Sequence, residues 1–193
     1  MPRTKTFDEQ QALEKAMHTF WRKGYHATSM QDLVDAMGIN RASLYDTFGG
    51  KKDLFDQAFE LYRKTNTQGL QRFLEQQNSV RDGFRQLFAM AIAETQSEAG
   101  QKGCFVVNVT TELLPEDRSM EGVIRANKEG FTAVFHQFLQ QGVASGELSA
   151  DQDLEATANL FFTLYNGVKV VGKIPGQEKA LMGAVEAALG ALR

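Results

Sequence analysis

The chain has 193 residues, 42% hydrophobic and 23% charged, with a formal net charge of −3. That balance is ordinary globular material, enough for one small module and a larger second one, and it excludes a disordered or fibrous chain. Only three prolines and no long alternating apolar-polar runs argue for an all-α fold.

The first element is expected across DEQQALEKAMHTFWRKG, where Ala12, Leu13, Ala16, Met17, Phe20 and Trp21 make a helical stripe that Gly24 ends. Thr28 followed by Gln31 is a capping-box pattern, which predicts a second helix starting at Ser29. Met30, Leu33, Val34 and Met37 then share one side of that helix. Gly38 suits a left-handed helix end and Asn40 suits the next N-cap, so the chain turns within about three residues, as helix-turn-helix units do. In the third helix Leu44 and Phe48 can point inward while Arg41, Ser43, Tyr45 and Thr47 face elsewhere. Gly49 and Gly50 precede a fourth helical stretch, about 51–77, that opens on Lys51 and Lys52 and carries Leu54, Phe55, Ala58, Leu61 and Tyr62. Two lysines in a first turn oppose the helix macrodipole, and a phosphate bound there would remove the conflict.

This combination resembles the DNA-binding domain of TetR/AcrR-family transcriptional regulators over roughly residues 8–60. The resemblance implies an N-terminal three-helix DNA-binding domain, residues 1–50, and a C-terminal helical ligand-binding and dimerisation domain, residues 78–193. It implies that Thr28, Tyr45 and Lys51, with Lys52 beside it, hold phosphates, and that Arg41, Ala42 and Ser43 meet base edges in the major groove. Many family members carry His or Tyr before the Phe at position 48. This chain has Thr47, which joins the DNA-facing set with a different side chain.

Charge supports this locally rather than globally. Residues 1–65 hold ten Lys/Arg and nine Asp/Glu, a net of +1, against eleven and fifteen in the remainder, a net of −4. Arg3 and Lys5 suit either a DNA-reaching arm or a plain solvated leader.

Beyond residue 77 the pattern changes. Phe84, Leu87, Phe88, Ala91, Ile92 and Thr95 form one stripe over 81–97. The apolar segment GCFVVNVTTELL follows, and then a long helix over about 117–145 that Gly146 ends. Abundant Phe with a few polar groups suits a small-molecule pocket as well as a core. The pocket set is Phe84, Phe88, Cys104, Asn108, Thr111, Ile124, Asn127, Phe131, Phe162, Tyr165 and Asn166, and the pocket itself is implied mainly by the family resemblance. Residues 154–171 are apolar around most of the helix, and a last helix over 177–192 carries small residues. The resemblance implies that these two helices form a four-helix dimer interface with a second copy, through Leu160, Leu164, Val168, Leu181, Val185, Ala188 and Leu192. The alternative is that both helices finish the core of a monomer.

The expected function is a ligand-responsive regulator, a repressor that binds a palindromic operator in double-stranded DNA as a homodimer and is released by a small-molecule inducer. Cys104, with Lys102 nearby, offers redox or electrophile sensing as an alternative, against the ordinary role of a buried thiol. An α-helical enzyme using Glu112 or Glu94 as base lacks a nucleophile-base constellation, and a ligand-independent architectural binder would discriminate sequences poorly. A single cysteine and three scattered histidines predict no disulfide, metal or cofactor. No signal peptide or membrane-spanning run is recognisable, so a soluble cytoplasmic protein is expected.

Overall fold

A computed structural model describes residues 7–97 and 100–193, and Arg3 and Lys5 lie outside them. Nine α-helices occupy the described residues, with no strand among them: α1 Glu9–Lys23, α2 Met30–Met37, α3 Arg41–Phe48, α4 Lys51–Glu75, α5 Val80–Thr95, α6 Phe105–Glu112, α7 Glu121–Ser145, α8 Leu154–Val171 and α9 Glu178–Leu189. The expected all-α architecture is what the chain adopts.

The helix ends follow from the side chains at them. Asn40 accepts from the Ser43 amide at 2.8 Å, and Gly38 takes φ +70, the left-handed turn that a side chain resists. One cap lies a residue later than its pattern suggested. Thr28 is buried and its hydroxyl donates to the Gly24 carbonyl at 2.6 Å, whereas Ser29 forms the capping box with Asp32, so α2 begins at Met30. Both Thr28–Gln31 and Ser29–Asp32 satisfy the spacing. Burial of Thr28 against the end of α1 decides between them. Further along, Glu147 accepts from the Val80 and Arg81 amides at the start of α5, and the Arg81 guanidinium donates to the Leu189 and Leu192 carbonyls at the end of α9.

Two apolar cores result, and they do not follow chain order. The first joins α1, α2, α3 and the front half of α4 with α6 and Met120, so Cys104, Phe105, Val106 and Val109 bury against Phe20, Phe55 and Phe59. The second joins the rear half of α4 with α5, α7, α8 and α9 around stacked Phe84 and Phe161, whose ring centres lie 4.2 Å apart. The outer stripes of the last two helices stay uncovered. On α8, Leu160 and Val171 are exposed and Leu164 half-buried, with Ile174 continuing the line. On α9, Ala180, Ala184 and Ala187 are exposed, as is Ala191 just beyond its end. Val168, Leu181, Val185 and Leu192 are buried in the chain's own core and Ala188 is half-buried, so these four of the expected interface residues do not lie on the outer stripes. The spacing had picked out the inward stripe.

Candidate DNA-reading surface and its link to the second core

Leu44 and Phe48 anchor α3 inward, which turns its other side to solvent. Arg41, Ala42, Tyr45 and Asp46 are exposed, while Ser43 and Thr47 are half-buried. The Arg41 guanidinium lies 5.9 Å from the centre of the Tyr45 ring, so the two largest outward groups share one edge. Thr28, buried with its hydroxyl turned to Gly24, seats α2 rather than standing on this face.

At the start of α4 the lysines part company. Lys51 has its ammonium 4.5 Å from the centre of the Tyr25 ring and 3.5 Å from the His26 carbonyl, a cation–π hold that ties the first turn of α4 to the turn after α1. Lys52 pairs with Asp56 at 2.5 Å one turn on, and Asp53 accepts from the Gly50 amide at 2.9 Å. The expected conflict of two lysines with the macrodipole is therefore answered partly inside the chain by two aspartates. Asp32 is held below the ordinary carboxylate range, first by Lys23 and then by Ser29.

Helix α6 ties this module to the rest of the chain. The Trp21 indole donates to the Gly103 carbonyl at 3.0 Å, and the Phe105 ring lies within 5.3–6.4 Å of Phe59, Tyr62, Phe55 and Trp21. The Glu112 carboxylate accepts from the Tyr25 amide at 3.1 Å and the His26 amide at 2.9 Å, clasping the turn between α1 and α2. Gly24 leaves room for it, since a Cβ there would stand 2.8 Å from Glu112 Oε2. Glu94, the other acid considered as a base, makes a short ion pair with Lys169. Sequence reasoning missed this clasp because nothing local marks which amides a glutamate will meet 86 residues away.

The expected pocket residues divide between the two cores. Phe84 and Phe88 pack in the second core, and Phe131, Phe162 and Tyr165 cluster beside them, Phe131 lying 6.2 Å from Phe162 and 6.1 Å from Tyr165. Ile124 packs on the first core instead. Asn108 donates to the Lys102 carbonyl, Thr111 is exposed with its hydroxyl on its own helix, and Asn166 donates to the Phe162 carbonyl one turn back. These polar groups are thus spent locally rather than gathered around one cavity. Asn127 is buried on α7. Cys104 is buried at the N-cap of α6 with its Sγ 3.9 Å from the Tyr62 hydroxyl, while the Lys102 ammonium lies over the Trp21 ring. Burial, with Cys104 beside it, pushes the Tyr62 hydroxyl well above the usual tyrosine range, so it stays neutral.

The polar outer edge of α3, set by a helix-turn-helix corner, has its counterpart in known proteins. Residues 12–58 match the model for bacterial regulatory proteins of the tetR family, and residues 82–188 match the tetracyclin repressor-like C-terminal domain. The chain belongs to the TetR family. The Bacillus subtilis HTH-type transcriptional regulator YezE is 29% identical over 193 residues, covering all of both chains. The Escherichia coli HTH-type transcriptional repressor ComR is 31% identical, covering 93% of this chain and 86% of its own. A solved structure of the TetR-family regulator CifR, a cysteine variant complexed with 26-bp operator DNA, superposes with a TM-score of 0.85 at 31% identity, covering 99% and 100% of the two chains. This TetR-family chain is a DNA-binding transcriptional regulator, as its relatives' names describe. No helix among its described residues is long and apolar enough to cross a membrane.

Proposed function

We propose that this chain is a cytoplasmic repressor that binds a palindromic operator as a homodimer and lets go when a small molecule binds its C-terminal half. The exposed α3 edge carries the proposal. Arg41, Ala42 and Ser43 meet base edges, with Thr47 at the rim, while Tyr45, Lys51 and the unpaired first-turn amides of α4 hold phosphates. Lys52 contributes charge that Asp56 shares.

Two such helices related by a twofold axis sit about 34 Å apart to enter successive major grooves. The uncovered stripes on α8 and α9, led by Leu160 and Leu164, are the surface a second copy would cover. A ligand preferring a different arrangement of the second core would alter the spacing through α4 and the α6 clasp, and a coupling of about 1–3 kcal/mol shifts DNA affinity roughly 5- to 150-fold. Selection of bound fragments from a genomic DNA pool, with gel filtration of the same sample, tests the reading. The expected result is one enriched palindrome and a species of twice the 21.5 kDa chain mass. Fragments retained without sequence preference, or a monomer at micromolar concentration, would overturn it.

Cys104 supports a second reading, in which an electrophile acts as the signal, because the thiol stands on the seam between α4 and α6. If so, N-ethylmaleimide releases the operator from the parent chain and not from Cys104→Ser. Equal release from both rejects the idea.

A further inference from the structure

Asp46, on α3, is the acid of the helix-turn-helix region that the chain leaves alone. The other acids of residues 28–56 are all engaged: Asp32 with Lys23, Asp35 with Gln31, Asp53 with the Gly50 amide and Asp56 with Lys52. Asp46 is exposed and has no hydrogen bond or ion pair among the described residues. The cation beside it on the same helix, Arg41, lies 5.9 Å from the centre of the Tyr45 ring and makes no ion pair with it.

Its position on the helix is the most outward one. A helix turns about 100° per residue, so Asp46, two residues from each of the buried anchors Leu44 and Phe48, lies on the side of α3 opposite both. Ala42, one turn earlier and also exposed, shares that ridge, with Arg41 and Tyr45 on one flank and Ser43 and Thr47 on the other. Ala42 ends at its Cβ. The ridge can therefore come close to the floor of a groove, where a side chain as short as aspartate reaches a base edge.

An unpaired carboxylate on a surface that meets phosphates lowers affinity for every sequence, unless the DNA supplies it with a donor. Carboxylate oxygens only accept, and the donors of the major groove are the amino groups of cytosine N4 and adenine N6. Adenine sets its N7 acceptor beside the amino group, which repels the second carboxylate oxygen, whereas cytosine presents the donor alone. Guanine and thymine present acceptors, which a carboxylate repels. We infer that Asp46 is a specificity-determining residue, its carboxylate accepting a hydrogen bond from the N4 amino group of a cytosine at one symmetric position in each operator half-site. This rests on the operator reading proposed above, within which Asp46 discriminates between sequences and the cations hold the DNA.

The experiment is selection from a randomised double-stranded DNA pool with the full chain, its Asp46→Ala variant and its Asp46→Asn variant, followed by titration of the parent's selected site with all three. The parent enriches a palindrome with cytosine at one symmetric position in each half, and replacing that cytosine weakens its binding roughly fivefold or more. Asp46→Ala binds the selected site and its substituted forms about equally. Asp46→Asn loses the cytosine and favours adenine there, because a carboxamide accepts from N6 and donates to N7. Both changes fall on an exposed side chain without partners, so the fold is intact in each. Variants that keep the parent's cytosine discrimination overturn the inference and leave the operator reading standing. Tighter binding to every sequence with unchanged base preference does the same, and makes Asp46 only a charge that repels phosphates. A parent that enriches no palindrome overturns the operator reading, and this inference with it.

Discussion

The two cores are built from the same kinds of residues and held in different ways. The second is a stack of phenylalanines, Phe84 against Phe161, Phe135 and Phe138, with its polar links at the rim, where Glu147 and Arg81 cap α5 and α9. The first adds long-range polar bonds along its seam with α6: Trp21 to Gly103, Glu112 to the turn after α1, Tyr62 beside Cys104. Apolar burial is non-directional and tolerates sliding, whereas a hydrogen bond fixes position. The difference teaches where this molecule needs register. The N-terminal module is pinned to α6 by bonds with defined partners, and the second core is held chiefly by packed rings.

The sharpest way to break this comparison is to remove one ring from each core. Phe105→Ala and Phe84→Ala should each cost about 3–5 kcal/mol, as large-to-small changes at fully buried sites do. Hydrogen exchange should then separate them: Phe105→Ala loosens α1 to α4, and Phe84→Ala loosens α5, α7 and α8. Identical protection patterns would merge the two cores into one cooperative unit. Next in size, Glu112→Ala leaves two amides without their charged acceptor and should cost about 1.5–3 kcal/mol, read in denaturant melts. A cost near zero would show that water replaces the carboxylate.

Lys51→Ala should barely move stability. It should weaken binding to all DNA sequences and lower the salt slope by about 1, whereas Lys52→Ala, whose charge Asp56 already shares, should lower it less. Equal slopes for the two variants would contradict that ranking. The smallest effect concerns acid. Burial opposes ionisation of Glu147, but the Arg81 and Val80 amides and the Ser79 hydroxyl outweigh it and hold the carboxyl below 4.5. A depressed carboxyl stabilises the fold above its unfolded-state value and loses that contribution as pH falls through its folded value. The advantage of the parent over Glu147→Gln should thus be complete at neutral pH and fade below about 4.5. An advantage that grew on acidification would reverse the sign.

Much of this was legible in the residues. The helix over 154–171 has those ends in the structure, and Gly38, Asn40 and Gly146 punctuate the chain where their chemistry says they should. What periodicity could not supply is the partner of each apolar face. Val185 and Leu181 read as an interface stripe because spacing reports that a face is buried, and it is equally silent on whether the same chain or another does the burying. Phe105, Val106 and Val109 read as material of the second half for the same reason, and they pack on the first core. The shift of the cap from Thr28 to Ser29 is a smaller case, settled by a tertiary contact that no local pattern contains.

The Glu112 clasp also bears on how such regulators can be recombined. A chimera that takes residues 1–60 from one relative and the remainder from another cuts the chain at a sensible place in sequence and through the middle of a core in space. Its success would turn less on the splice point than on whether the donated turn after α1 finds a glycine where Gly24 stands and an acid where Glu112 reaches. Specificity of the reader and responsiveness of the sensor are separable traits only as far as that pair of positions travels together.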